Sequence, residues 1–150
     1  MKQLLPCISL ALASALGSCT NDKKEEPSPQ IDSQLLTSNT WKLTAETQTV
    51  GNAEPVAKYS TSDVGANDNT LKFLADYSLR MDEGATKDSH ISLQTVSGKW
   101  KLSGKTLTIV VAPFTRQCVI QELTATKLIV RVDETLDGDQ RVTRYMYEAQ

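Results

Sequence analysis

The chain has 150 residues, 39% of them hydrophobic, and carries 16 basic against 18 acidic side chains for a net charge of −2. That length suits one domain built on one core. The mixed, weakly acidic balance excludes the basic footprint that nucleic-acid binding requires.

The N-terminal segment places Lys2 ahead of an apolar run from Leu4 to Leu16, the layout of a secretory signal. A spanning helix needs about 20 apolar residues; this run is shorter and is interrupted by Pro6, Ser9 and Ser14. The next four residues, Leu16-Gly17-Ser18-Cys19, resemble the lipobox of bacterial lipoproteins. The resemblance implies that residues 1–18 are removed and that Cys19 takes a diacylglycerol, so that the protein is held to a membrane through its lipid. Thr20, rather than Asp, after the cysteine implies the outer membrane, on its periplasmic face or at the cell surface. Cys7 leaves with the signal. Cys118 is then without a disulfide partner, and its strand-like setting Arg116-Gln117-Cys118-Val119-Ile120 predicts a small buried thiol and not a reactive one.

Residues 19–34 are dominated by charge, Pro and Ser and cannot bury enough surface to fold, so they read as a flexible tether. The run Asp22-Lys23-Lys24-Glu25-Glu26 resembles the charged signal of surface-exposed lipoproteins in some Gram-negative groups. The folded domain is expected over 35–150, with a short helix at Asp32 to Leu36 just ahead of it.

From Trp41 onward the hydropathy has period two, the mark of half-buried strands. Trp41, Leu43, Ala45 and Thr47 share one face. Leu71 and Phe73 follow, then Tyr77, Leu79 and Met81, then Trp100 and Leu102. Leu107, Ile109 and Val111 come next, then Leu128, Val130 and Val132, and Tyr145 and Tyr147 close the series. Turn signals separate these runs: Asp76, Ser103-Gly104, Pro113 and Asp137-Gly138. Residues 51–69 read as a long loop with a short strand near Val56 to Tyr59. About eight strands with hairpin turns predict an all-β fold, an antiparallel up-and-down barrel with room for a small interior cavity. Its outer face is rich in Lys, Thr, Glu and Arg, so the barrel stands in water and does not span a membrane.

Leu35-Leu36-Thr37-Ser38-Asn39-Thr40-Trp41-Lys42-Leu43 resembles the opening of lipocalin-like domains found in bacterial lipoproteins. Thr70-Leu71-Lys72-Phe73 with Asp76-Tyr77 resembles their second hairpin. Ser97-Gly98-Lys99-Trp100-Lys101-Leu102-Ser103-Gly104-Lys105-Thr106-Leu107 resembles their central hairpin. Two places depart from the pattern: Asn39 and Tyr77 stand where glycine is usual. The resemblance covers roughly residues 35–149 and implies an eight-stranded barrel that takes up small apolar molecules.

The sequence offers little convergent chemistry. His90 is the one histidine, and the pairs Asp82-Glu83 and Asp133-Glu134 flank turns, where solvated charges are the expectation. Asp133, Asp137, Gly138 and Asp139 loosely resemble a calcium loop, but Arg144 occupies the closing position. We therefore expect no catalytic residues, no metal and no cofactor. Candidate ligand-lining residues are Leu43, Ala45, Phe73, Tyr77, Leu79, Trp100, Ile109, Val130, Tyr145 and Tyr147. Trp41 is expected to plug one end, and Ala45, Thr47 and Gly98 to open space. The expected function is uptake of a small hydrophobic or amphipathic ligand. The alternative is a packed barrel that acts through a protein partner at the cell envelope, and an interior pocket of about 300 Å³ or more separates the two.

Overall fold

The computed structural model describes residues 31–59, 68–86 and 93–150. Cys19, the expected signal and His90 lie outside them. A helix, α1 (Ser33–Ser38), is followed by nine strands: β1 (Thr40–Val50), β2 (Val56–Ala57), β3 (Thr70–Phe73), β4 (Ser78–Asp82), β5 (Thr95–Ser103), β6 (Thr106–Val111), β7 (Phe114–Leu123), β8 (Lys127–Leu136) and β9 (Asp139–Ala149). Eight of them form a closed antiparallel barrel, because β1 pairs with β3 on one side and with β9 on the other. The two-residue β2 adds to the upper half of β1 through Thr47↔Ala57 and Gln48↔Val56.

The turns follow local chemistry. Asp137 and Gly138 both take positive φ (54° and 89°) in the β8–β9 hairpin, as a two-residue turn matched to strand twist demands. The β5–β6 turn is Gly104-Lys105, one residue later than Ser103-Gly104, because Ser103 still pairs with Thr106. Between β3 and β4, Asp76 Oδ1 accepts from the Ser78 main-chain N–H (3.0 Å) and hydroxyl (2.6 Å). Tyr77 then takes the left-handed conformation at φ 64°, the place a glycine usually fills. That conformation turns Tyr77 outward, leaving it 61% exposed rather than on the inner face.

One end of the barrel is closed. Asp32 caps α1 by accepting from Gln34 N–H at 2.8 Å, and Leu36 is wholly buried under the strands. The Trp41 indole donates to Leu36 O at 2.9 Å and the Trp100 indole to Leu74 O at 3.0 Å. Phe73 meets Trp100 edge to face at 5.7 Å, an arrangement aromatic pairs favour. Leu36, Trp41, Phe73, Leu79, Leu107, Ile120 and Leu128 are fully buried together. Ile31, placed in the tether by composition, packs against this cluster, so the folded domain begins at least four residues before the expected boundary at Leu35. Gly98 lies opposite Leu79 on the inner face. It leaves no space: a Cβ there would come within 2.5 Å of Val110 O and 2.8 Å of the Val111 Cγ2 methyl.

Two irregularities decide where the interior lies. In β1 the register with β9 shifts between Leu43 and Ala45, so that Leu43 pairs with Tyr147, Ala45 with Met146 and Glu46 with Tyr145. This bulge turns the rest of the strand over: Ala45 and Thr47 go to the outer face, and Glu46 and Gln48 come in. Between β7 and β8 the ladder runs from Leu123↔Leu128 only as far as Val119↔Arg131. Beyond it β7 continues to Phe114 paired with β6 alone, and β8 continues to Leu136 paired with β9 alone. The upper wall is therefore split between two hairpins.

Candidate functional site: an interior cavity beside the split wall

Above the closed end the barrel holds a cavity of about 860 Å³. Leu71, Met81, Val96, Ile109, Val111, Val130 and Val132 form its apolar walls, with Tyr145 and Tyr147 projecting from β9. Each is inward because it shares a ladder rung with another inward residue: Leu71 with Met81, Met81 with Val96, Val130 with Tyr145, Leu128 with Tyr147. Along the split both the inward residues of β7 (Phe114, Arg116, Cys118) and their outward neighbours (Thr115, Gln117) border the cavity, together with Asp133 and Glu134 of β8. The cavity thus opens sideways between the hairpins. Phe114 stands at the tip, 74% exposed.

The polar groups of the cavity fall into two sets. Glu83 is buried and accepts from Asn69 Nδ2 at 3.1 Å. Asp133 is held from outside by Arg131, whose Nε and terminal nitrogen reach Oδ1 at 2.8 and 2.6 Å. Glu134 lies directly across the β8–β9 ladder from Arg141. Arg116 lies with its guanidinium carbon 5.9 Å from the centre of the Tyr145 ring, within cation–π range. Among the described residues the ion pairs are Arg80–Asp82, Lys127–Glu122 and Arg131–Asp133, and Arg116 is in none of them.

Burial sets the titration of the groups beneath Arg116. It pushes the Cys118 thiol from 9.0 up to about 11, with the Arg116 charge opposing. The same cause raises Tyr145 and, further, Tyr147. Cys118 donates weakly to Leu107 O at 3.4 Å. At neutral pH all three are uncharged, and the interior is an apolar cup with phenol and thiol dipoles, one facing cation and the carboxylates of Glu83, Asp133 and Glu134 at its border.

Of the residues proposed from sequence, Ile109, Val130, Tyr145 and Tyr147 border this cavity. Phe73, Leu79 and Trp100 belong to the packed closed end beneath it. Tyr77 lies outside, its ring 5.3 Å from Trp100; Ala45 faces outward through the bulge, and Leu43 is half-buried beside it, bordering neither the cavity nor the buried cluster. Sequence reasoning did not place Leu71, Met81, Val96, Val111, Val132 or Arg116 among the lining residues, and it read Glu83 and Glu134 as solvated charges beside turns. For Arg116 a signal existed: it shares strand parity with Cys118 and Ile120.

No curated protein matches the chain. Residues 37–130, however, match the family model described as a lipocalin-like domain. That match spans more than half of the sequence and most of the barrel wall, including Leu71, Met81, Arg116 and Val130 of the cup. With that match and its closed eight-stranded antiparallel barrel, the chain belongs to the lipocalin-like domain family.

Proposed function

We propose that this protein is a binding module that takes up a small hydrophobic or amphipathic molecule in the barrel interior. The observation that carries this reading is the cavity itself: about 860 Å³ with mainly aliphatic walls, well above the roughly 300 Å³ at which ligand pockets begin. A barrel acting only through a packed core would fill that space with side chains. We further propose that the module works outside the cytoplasm, tethered to the outer membrane by a lipid on Cys19. The support is the signal-like segment 1–18 and the lipobox-like Leu16-Gly17-Ser18-Cys19.

Native mass spectrometry tests the binding reading. The mature chain, residues 19–150 with Cys19→Ser, is exposed to a lipid extract of its native cell and desalted. A discrete added mass on the folded protein is expected; a clean apo mass with a β-type circular dichroism spectrum overturns it. Metabolic labelling with a radiolabelled fatty acid tests the anchor. Label is expected on the full-length chain and not on Cys19→Ser, and equal labelling of the two removes the anchor.

A further inference from the structure

We infer that the ligand is an amphiphile with an anionic head, and that Arg116 at the β7–β8 split receives that head while the tail lies in the cup. This rests on the ligand-binding reading above and narrows it to a chemical class.

The inference comes from which charges at the cavity are already answered. Glu83 accepts one hydrogen bond from the neutral Asn69 amide, and Asp133 is clamped by Arg131. Glu134 lies across the β8–β9 ladder from Arg141, with the two outside ion-pair distance. Arg116 alone borders the cavity as a cation with no carboxylate within ion-pair distance among the described residues. Its guanidinium lies 5.9 Å from the Tyr145 ring centre and also hydrogen-bonds the Tyr145 hydroxyl, which fixes its position and leaves the remaining N–H donors of its fork for a carboxylate or phosphate-type oxyanion.

Position supports the same assignment. Arg116 is on the stretch of β7 that lacks a β8 partner, so a head group bound there stays at the opening and keeps part of its hydration. Ile109 faces it on the same rung of the β6–β7 ladder, and deeper in the cup the wall is apolar through Cys118, Val130 and Val132, a surface suited to a tail. The Tyr147 hydroxyl, lower on β9, has no hydrogen-bond partner among the described residues and supplies a second donor for a head that sits deeper.

The test uses the mature chain (residues 19–150, Cys19→Ser) and a neutral naphthylamine dye displaced by three probes of one tail length: dodecanoate, dodecanol and dodecyltrimethylammonium. Dodecanoate is expected to bind at least about tenfold tighter than dodecanol, the scale of one charge-assisted hydrogen-bond pair. Arg116→Gln is expected to erase that preference while leaving dodecanol affinity within about twofold. Arg116→Lys should restore part of it, and Arg144→Gln, on the outer face, should leave it intact. Equal binding of dodecanoate and dodecanol, a preference that survives in Arg116→Gln, or tighter binding of the cationic probe would each overturn the inference with the cavity reading still standing. Failure of the dye and of all three probes to enter would remove both.

Discussion

The indole N–H of Trp41 donates to the main-chain oxygen of Leu36 across 2.9 Å, and both residues are wholly buried. This bond fixes α1 under the barrel and gives Leu36 O a partner in a place water does not reach. Trp41→Phe removes the donor, leaves the oxygen unsatisfied and opens a small void. A loss of about 2–4 kcal/mol in urea unfolding is expected, with the β-type spectrum retained in buffer. An unchanged midpoint would mean that the helix contributes nothing to closing the barrel.

Ala45→Leu and Val130→Trp form a contrasting pair. Ala45 pairs with Met146 on the outer face, so the added methyls meet solvent and stability should move by no more than about 0.5 kcal/mol. Ligand uptake should not move either. Val130 borders the cavity and is 5% exposed; an indole there occupies volume the ligand needs. Uptake of dye should fall at least about tenfold while the fold survives, because the cavity has room for the ring. A drop in uptake for Ala45→Leu would show that the β1 bulge is misplaced.

That contrast also shows how far the sequence could be read. Period-two alternation correctly marks the strands at Leu71–Phe73, Trp100–Leu102, Leu107–Val111 and Leu128–Val132, because a half-buried strand exposes every second residue. It fails at Thr44, where one extra residue in a bulge exchanges the faces of everything that follows. Glu46 read as solvent-facing and Ala45 as interior, and the structure reverses them. Nothing in β-propensity marks that place, since a bulge is set by pairing with a strand about a hundred residues away. Tyr77 was lost for a different reason: a backbone at positive φ leaves the strand pattern. The β7–β8 split is a property of two hairpins leaning apart, and no single stretch of sequence encodes it. Polar residues such as Arg116 and Glu134 escape a sequence reading because polarity on a strand ordinarily means water.

Asp82 predicts an acid response. The Gln94 amide, the Gly84 N–H, the Thr95 hydroxyl and Arg80 hold its carboxyl down to about 2, against an ordinary value near 3.9 in an unfolded chain. A depressed carboxyl favours the folded state above the unfolded value, and that contribution is lost as pH falls through the folded one. Stability should therefore decline between about pH 4 and pH 2. Asp82→Asn should flatten part of that decline, read as a smaller shift of the urea midpoint across the window. Asp68 and Asp76, also lowered, the first chiefly through Thr86 and the second through Ser78, act in the same direction.

The thiol of Cys118 gives a probe of the interior. Raised to about 11 by burial, it holds about 100-fold less thiolate at pH 8 than a thiol at 9.0. In residues 19–150 with Cys19→Ser, reaction with a disulfide reagent should be slower than in urea by at least that factor. The sign of the linkage is opposite to that of Asp82: the neutral thiol favours the folded state below about pH 9, and this contribution fades as pH rises through 11. Rapid labelling of the native protein would mean that the floor of the cup opens freely.

The ladder between β1 and β9 has a consequence for how the molecule is made. It joins the first strand to the last, from Trp41↔Ala149 to Val50↔Arg141, and the bond from the Thr44 hydroxyl to Met146 O spans 102 positions of chain. The seam of the barrel is therefore stitched by the final eleven-residue strand, and until that strand exists β1 has an open edge along most of its length. Closure on so distant a contact is slow. A chain of this kind keeps its barrel wall open until β9 is available to pair with β1.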